Sequence, residues 1–203
     1  PNAGLVETRE AIADKINKVQ GMKLSADNVI MSCGAAGALN VIFKSLLDPG
    51  DEVILPVPYF VEYPFYIDNY RGIVKFVKTN EDFSLNIESI EEAINENTKV
   101  VLINTPNNPT GKVYCEKNIA DLAGLLNRRS SELFKSIYLV ADEPYNEIVY
   151  DNLVDPGILK SYKNAISACS YSKTLSLPGE RIGYIAFNPE TDHGADLQNA
   201  FVM

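Results

Sequence analysis

Short apolar runs alternate along this chain with longer segments in which apolar residues recur every three or four positions. The longer pattern is typical of helices packed on one face, and it predicts helices at 5–19, 39–47 and 118–126, with less regular ones near 60–70 and 88–96. Apolar runs of strand length lie between them. They predict strands at 28–33, 51–56, 72–77, 100–105, 137–142, 165–172 and 181–187.

Near-continuous apolar strands that alternate with amphipathic helices are typical of a sheet buried on both sides. The pattern therefore predicts an α/β fold in which a mostly parallel sheet carries helices on both faces, in three α-β-α layers. Residues 1–203 are expected to form a single domain. The first helix, with Ile12, Ile16 and Val19 on one face, starts near the first residue, and 196–203 begins a helix without a stop signal. We therefore expect the chain to be one part of a longer protein.

Composition argues against several classes of protein. With 203 residues, 46% hydrophobic and 22% charged, the chain can bury one good core. A formal charge of -9 argues against a nucleic-acid partner, which requires clustered Lys and Arg. No apolar run approaches the roughly 20 residues that span a bilayer. No signal-peptide pattern opens the chain, so we expect a cytoplasmic protein without a membrane partner. Cys33, Cys115 and Cys169 are odd in number and far apart, which favours neither disulfides nor a metal site.

In a parallel sheet, ligands bind at the carboxyl ends of the strands, so the residues that follow each strand are the candidate site. After the first strand, Gly34-Ala35-Ala36-Gly37 opens a helix with small residues, and its backbone N–H groups can approach an anion. Alone, such a turn is more often a packing feature. It matches neither GxGxxG nor GxxxxGKS/T, which argues against a dinucleotide or P-loop nucleotide site.

Other strand ends also carry residues suited to ligand binding. Tyr59 and Phe60 follow the second predicted strand and can lie against a planar ligand. The turn "NTPNNPTG" holds Asn108 in place. Asp142 ends an apolar run, where an ionised carboxylate needs a cationic or donor partner, and Tyr145 stands three residues further on.

The stretch "SYSKTLSLPGERIG" (170–183) follows an apolar run and sets Lys173 among hydroxyl residues, with Arg181 eight residues later. Taken with the other strand ends, it describes one ligand. That ligand is flat and aromatic, with a phosphate for the Gly34 helix, Ser170 and Arg181. It carries a cationic ring nitrogen for Asp142, a ring oxygen for Asn108 and Tyr145, and an aldehyde that Lys173 can capture as a Schiff base. Pyridoxal 5'-phosphate fits this description.

Four segments, "GLVETREAIA", "NNPTG", "DEPY" and "SYSKTLSLPGERIG", occur in the order and spacing of one enzyme family. Across essentially its whole length the chain resembles the class I and II aminotransferases, which are fold type I pyridoxal-phosphate enzymes, and in particular aspartate aminotransferase. The resemblance implies that residues 1–203 are the large cofactor-binding domain. The N-terminal segment and the small C-terminal domain of those enzymes, with the arginine that grips the substrate carboxylate, are expected to lie outside this chain.

The resemblance also implies a role for each matching residue. Lys173 matches the lysine that bonds the cofactor, and Asp142 matches the partner of its ring nitrogen. Phe60, rather than Tyr59, matches the residue that stacks on the ring. The expected catalytic residues are Lys173, Asp142 and Tyr145. The expected cofactor-binding residues are Gly34, Ala35, Ala36, Phe60, Asn108, Asp142, Tyr145, Ser170, Ser172, Lys173 and Arg181.

The activity implied by the resemblance is transfer of an amino group between an amino acid, possibly aspartate, and a 2-oxo acid. The whole enzyme is expected to be a homodimer, and this chain alone is expected to have little or no activity. Two alternatives remain open. One is another enzyme on the same scaffold, such as a carbon-sulfur lyase, a decarboxylase or a cyclopropane-forming synthase. The other is a pyridoxal-phosphate-binding sensor domain of a transcription regulator, which the acidic composition disfavours.

Overall fold

Seven strands form one sheet in the computed structural model, which describes residues 2–203. Their order across the sheet is β1-β7-β6-β5-β4-β2-β3. Neighbouring strands are parallel except around β7, which runs antiparallel to both β1 and β6. The prediction of a mostly parallel sheet is therefore confirmed. The strands are β1 Val29–Cys33, β2 Glu52–Val57, β3 Ile73–Lys78, β4 Thr98–Asn104, β5 Tyr138–Asp142, β6 Ala165–Ser170 and β7 Ile182–Phe187.

Helices cover both faces of this sheet. They are α1 Val6–Gln20, α2 Gly34–Leu46, α3 Tyr63–Asp68, α4 Ile87–Ala93, α5 Glu116–Leu133, α6 Ile158–Ser161, α7 Tyr171–Thr174 and α8 Gly194–Val202, and a short 3-10 turn at Ala26–Asn28 precedes β1. One apolar core joins the sheet to α1, α4, α5 and α6, and a second joins it to α2, α3 and α8. The three-layer arrangement follows from this division.

Strand β4 shows how one strand serves both cores. Its side chains alternate between the two faces, so Val101 and Ile103 pack in the first core, whereas Val100 and Leu102 pack in the second. All four are almost completely buried. This is why the strand appears in the sequence as an unbroken apolar run rather than as an alternating one.

Two expectations about local structure were wrong. Val19 is 66% exposed, although Ile12 and Ile16 of the same helix are buried as expected. The last turn of α1 packs on α6 through Gln20 instead, whose Oε1 accepts the Lys160 N–H at 3.3 Å. The run at 165–172 was also expected to be strand throughout. It leaves the sheet after Ser170, and the next four residues form the single turn of α7.

Gly183 lets β7 approach the start of α2. It pairs with Ser170 of β6 on one side and with Ser32 of β1 on the other. A Cβ atom added at Gly183 would lie 2.5 Å from the carbonyl carbon of Gly34 and 2.7 Å from the backbone oxygen of Cys169. Both obstacles are backbone atoms that no rotamer change removes. Glycine at this position therefore sets the distance between β7 and the first turn of α2.

Replacing Gly183 with alanine should lower the free energy of unfolding by about 1–3 kcal/mol, as forced overpacking does. The matched control is Gly124→Ala in α5, where an added Cβ meets no atom within 4 Å. That change should stabilise the chain by about 0.5–1 kcal/mol, since alanine favours the helix. Urea unfolding followed by circular dichroism measures both. Equal stability of the two variants would contradict the close approach of β7 to α2.

Candidate active site

A cavity of about 320 Å³ opens at the carboxyl ends of the central strands. Its wall contains every residue that the sequence predicted for a cofactor site except Gly34, which lies directly behind it. The predicted residues in the wall are Ala35, Ala36, Phe60, Asn108, Asp142, Tyr145, Ser170, Ser172, Lys173 and Arg181. The topology explains this assembly, because β4, β5 and β6 are neighbours and end at the same edge.

One end of the cavity is suited to an anion. Ala35 and Ala36 belong to the first turn of α2, a 13-residue helix with no acidic residue in that turn. The guanidinium of Arg181 lies beside them and donates from Nη1 to the backbone oxygen of Pro178 at 2.9 Å. Its Nη2 is 2.8 Å from where a Cβ at Gly34 would stand, and Gly34 itself has φ +72°. The positive φ favours glycine here, and the absence of a side chain leaves space for the Arg181 guanidinium.

Asp142 lies deep in the cavity wall. Its Oδ2 accepts a hydrogen bond from the phenol of Tyr63 at 2.6 Å. Its Oδ1 is buried and has no hydrogen-bond partner within residues 2–203. Burial raises the pKa of Asp142 to about 6, and the bond from Tyr63 acts in the opposite direction. A buried carboxylate oxygen without a donor is unfavourable unless a ligand supplies one.

Asn104 holds two parts of the site together. Its Nδ2 donates to the backbone oxygen of Asp142 at 2.8 Å, and its Oδ1 accepts the backbone N–H of Asn108 at 2.6 Å. The side chain therefore ties the turn that carries Asn108 to the end of β5. Sequence reasoning missed Asn104, because it ends an apolar run that was interpreted as strand. The sequence signal that could have identified Asn104 is an asparagine at the end of an apolar run, just before the "NNPTG" turn.

Aromatic rings form another side of the cavity. Phe60 lines it and packs edge-to-face on Tyr63 with ring centroids 5.5 Å apart. Tyr59 instead stacks on Phe76 of the edge strand β3, at 5.1 Å, and is not among the lining residues. The placement agrees with the preference for Phe60 as the stacking ring. Tyr145 also lines the cavity, and burial, followed by the charge of Asp142, raises its pKa, so that its phenol stays a donor.

Lys173 occupies the turn of helix α7, at the rim of the cavity. The sequence had placed it at the end of a strand. The single turn that intervenes carries Ser172 and Lys173 together to the cavity, while Ser170 stays in the sheet and is buried. The segment 170–181 thus brings hydroxyl, amine and guanidinium groups to the same cavity, because Arg181 lies only eight residues after Lys173.

Glu143 is a second buried carboxylate, next to Asp142 in the chain but outside the cavity wall. Its Oε2 accepts a hydrogen bond from Ser167, and its backbone oxygen accepts one from Cys169 Sγ at 3.3 Å. Burial raises the pKa of Glu143, and the nearby charge of Asp155 raises it further. Sequence reasoning gave Glu143 no role, because the family resemblance assigned Asp142. The motif "DEPY" alone does not show which of its two carboxylates lines the cavity.

Three further observations concern the same residues, 2–203. No helix among them is long and apolar enough to cross a membrane. No cluster of three or more His, Cys, Asp or Glu side chains is placed to hold a metal ion within this range. The cysteines are all free thiols, of which Cys169 is buried.

The family model for aminotransferase class I and II matches residues 1–202. The chain belongs to this family. Among its relatives, the "Probable aspartate aminotransferase" of Methanocaldococcus jannaschii is 34% identical over 202 residues, which is 100% of this chain and 52% of that protein. The "Probable aspartate/prephenate aminotransferase" of Aquifex aeolicus is 38% identical over 192 residues, covering 92% of this chain and 47% of that protein.

Solved structures show the same relationship. An amino transferase from Eubacterium rectale superposes with a TM-score of 0.97 and 43% identity, over 99% of this chain and 51% of that one. The aspartate aminotransferase of Thermus thermophilus with maleate gives a TM-score of 0.88 and 33% identity, over 100% of this chain and 50% of that one. The chain thus spans about half the length of the relatives that it matches.

The titration of Glu143 should make the chain less stable as the pH rises. Its folded-state pKa lies above the unfolded value of about 4.3, so between the two values the folded state binds more protons than the unfolded state. Unfolding free energy therefore falls with rising pH in that window. Glu143→Gln, which cannot titrate, should make the slope less negative by up to about 1.4 kcal/mol per pH unit.

The matched variant for this prediction is Ser167→Ala. It removes the bond that lowers the pKa of Glu143, so the fall in stability should continue to higher pH. Urea unfolding curves recorded across the acid and neutral range provide the measurement. An unchanged slope in Glu143→Gln would show that this carboxyl group does not carry the pH dependence.

Proposed function

We propose that this chain is the cofactor-binding domain of a pyridoxal 5'-phosphate-dependent aminotransferase, which moves an amino group between an amino acid and a 2-oxo acid. The observation that carries the proposal is that Asp142 lines the cavity and that its buried Oδ1 has no donor within residues 2–203. A protonated ring nitrogen is the group that this oxygen lacks. An amine and an anion site stand in the wall of the same cavity, where one ligand can meet all three.

The rest of the cavity fits the other groups of that cofactor. The amides at the start of α2, the hydroxyl of Ser170 and the guanidinium of Arg181 suit a phosphate. Phe60 offers a ring face, while the Asn108 amide and the Tyr145 phenol are donors for a ring oxygen. Each feature alone has a structural explanation. Their convergence on a single cavity of about 320 Å³ is what favours one ligand.

When bound, pyridoxal phosphate supplies an aldehyde that condenses with amines and a ring that withdraws electrons from the substrate carbon. Lys173 is the one lysine among the lining residues, all of which lie within 2–203. Its Nζ would hold the aldehyde in the absence of substrate and, once released by the substrate amine, would take and return the proton at the substrate Cα as a general base and acid. Asp142, when ionised, keeps the ring nitrogen protonated. Phe60 excludes water from one ring face.

Aspartate is proposed as the amino-acid substrate because several relatives are named aspartate aminotransferase. Structures with similar TM-scores are named for alanine and for aromatic substrates, at 29% and 28% identity. The residues assigned to the cofactor do not discriminate among these side chains.

A homodimer in the cytoplasm is the proposed state of the whole protein, with neither nucleic acid nor membrane as partner. The dimer proposal is supported by exposed apolar side chains that lie within two residues of cavity-lining residues in the chain. Val61 and Phe65 are each 69% exposed, and Leu175 is 57% exposed. A second copy of the chain is the partner that would cover them. The formal charge of -9 disfavours nucleic acid.

Borohydride reduction tests cofactor capture. Purified chain incubated with pyridoxal 5'-phosphate and then reduced should carry the label on Lys173, because this amine alone among the lysines lines the cavity of the described residues. Lys173→Ala should lose the label, whereas Lys15→Ala, at an exposed lysine of α1, should keep it. Peptide mapping by mass spectrometry locates the label, and a well-folded sample labelled elsewhere would refute the assignment. Release of a 2-oxo acid from aspartate, reversed by a second 2-oxo acid, separates amino transfer from lyase or decarboxylase chemistry.

Arg181→Ala tests the phosphate end of the cavity. Charge-assisted bonds of this kind contribute about 1.5–3 kcal/mol, so affinity for pyridoxal 5'-phosphate should fall by roughly tenfold to 100-fold. Affinity for pyridoxal, which lacks the phosphate, should change by less than about twofold, since it never makes that contact. Titrations followed by absorbance give both constants. Equal losses for the two ligands would mean that Arg181 supports the fold rather than the phosphate.

A further inference from the structure

We infer that Tyr63 is a positioning residue for the cofactor carboxylate: its phenol holds Asp142 Oδ2 and leaves Oδ1 as the oxygen presented to the ring nitrogen of the ligand. The inference rests on the proposed function and adds to it a residue that the sequence motifs did not contain. It depends on the geometry between two side chains that lie 79 positions apart in the chain.

The position of the Tyr63 phenol is fixed by its surroundings. Tyr63 is 1% exposed and begins α3. Its backbone N–H donates to the oxygen of Phe60 at 3.1 Å, and its ring packs edge-to-face on the Phe60 ring. The ring is also packed in the second core, and this packing keeps its hydroxyl in one place. The same residue therefore supports the stacking wall of the cavity and the carboxylate at its base.

The hydrogen bonds around Asp142 leave the orientation of its carboxylate to Tyr63. Asn104 bonds the backbone oxygen of Asp142, not its side chain. Among residues 2–203, the Tyr63 phenol is the one hydrogen-bond partner of this carboxylate. Without that bond, the plane of the carboxylate could turn about the last side-chain torsion at little energetic cost, because this torsion is broad. With it, the orientation is fixed and Oδ1 is the oxygen left without a partner, on a residue that lines the cavity.

The charges around Asp142 give the same bond a second effect. The titratable groups that face this carboxyl group are phenols, a thiol and another carboxyl group: Tyr63, Tyr66, Tyr145, Cys169 and Glu143. None of these is a cation, and the two cations that line the same cavity, Lys173 and Arg181, are not among the causes of the pKa shift of Asp142. Burial raises the pKa of Asp142, and the bond from Tyr63 is the contact that opposes this shift. The ionised form is the one that binds a protonated ring nitrogen, so Tyr63 increases the fraction of chains competent to do so.

Tyr66 does not share this role, although it lies one helical turn further along α3. The Tyr66 hydroxyl donates a hydrogen bond to Glu62, another residue that lines the cavity, and so it is not the donor to Asp142. Burial and the charge of Asp142 raise the pKa of Tyr63 well above its ordinary value, so its phenol remains a donor at neutral pH. The positioning function therefore belongs to Tyr63 and not to the group of tyrosines as a whole.

The test compares Tyr63→Phe with Tyr162→Phe. Tyr162 is a buried tyrosine on the opposite face of the sheet, and its phenol donates to the Ile137 oxygen at 2.8 Å. Both variants lose the buried hydrogen bond that the phenol donates, and Tyr162→Phe also loses a 3.4 Å contact with Ser130 Oγ, so the control is at least as sensitive to a general loss of stability. The first readout needs no ligand: carbon-13 NMR titration of the Asp142 carboxyl, assigned with Asp142→Asn. Tyr63→Phe should raise that pKa above the wild-type value, and Tyr162→Phe should leave it unchanged.

The second readout is discrimination between two ligands. They are pyridoxal 5'-phosphate and its analogue in which a C–H group replaces the ring nitrogen. Wild type should prefer the nitrogen-containing ligand, and Tyr63→Phe should reduce this preference by about tenfold, the value of one hydrogen bond to a charged group. Tyr162→Phe should keep the full preference.

The outcomes separate the two claims. If wild type shows no preference for the ring nitrogen, the proposed cofactor site is wrong. If wild type shows it and Tyr63→Phe retains both the preference and the carboxyl pKa, the positioning role is refuted while the cofactor site stands. Should Tyr63→Phe fail to fold, 3-fluorotyrosine at position 63 replaces it. Fluorine makes the phenol a stronger donor, so the pKa of Asp142 should then fall, and an unchanged pKa would overturn the inference.

Discussion

The buried carboxylate of Asp142 is the constraint around which this cavity is organised. A carboxyl group away from water tends to stay protonated, and the raised pKa of Asp142 expresses that tendency. The chain supplies one side-chain donor to it, Tyr63, and leaves the second oxygen bare within the described residues. The surrounding residues therefore hold this group in a state that is unfavourable without a ligand. Such preparation in advance is typical of sites that bind a charged partner tightly.

The sheet brings the remaining groups to this carboxylate. Parallel β4, β5 and β6 end together, so Asn104 and Asp142 are cross-strand neighbours. The antiparallel strand β7 then brings Arg181 back to the start of α2, and two glycines in contact, Gly34 and Gly183, allow that approach. The parallel strands thus place the end of the cavity that contains Asp142, whereas the reversal at β7 places the end that contains Arg181. A sheet without this reversal would carry the arginine to the opposite edge.

Local patterns in the sequence predicted most of this architecture, because the spacing of apolar residues within one strand or helix shows which of its faces is buried. The rule that ligands bind at strand ends then predicted a shared site for Lys173, Asp142 and Arg181, because each lies at or next to an end of a predicted strand. It could not find Tyr63, because a tyrosine in an apolar helix has the pattern of an ordinary core residue until the carboxylate 79 positions away is placed against it. The prediction that Val19 is buried was wrong for the opposite reason. Periodicity places Val19 on the buried face of α1, but the contact of this turn with α6 is made by Gln20.

Substrate choice is a separate matter from the chemistry that this cavity supports. Structures as similar as these carry names that refer to aspartate, alanine and aromatic amino acids, so the fold and the cofactor residues alone do not determine the side chain that is accepted. In the function proposed for this chain, the polar groups Asn108, Asp142, Tyr145, Ser170, Lys173 and Arg181 bind the cofactor rather than the substrate side chain. On the proposed function, discrimination among amino acids must therefore come from groups that contact the substrate beyond that cofactor.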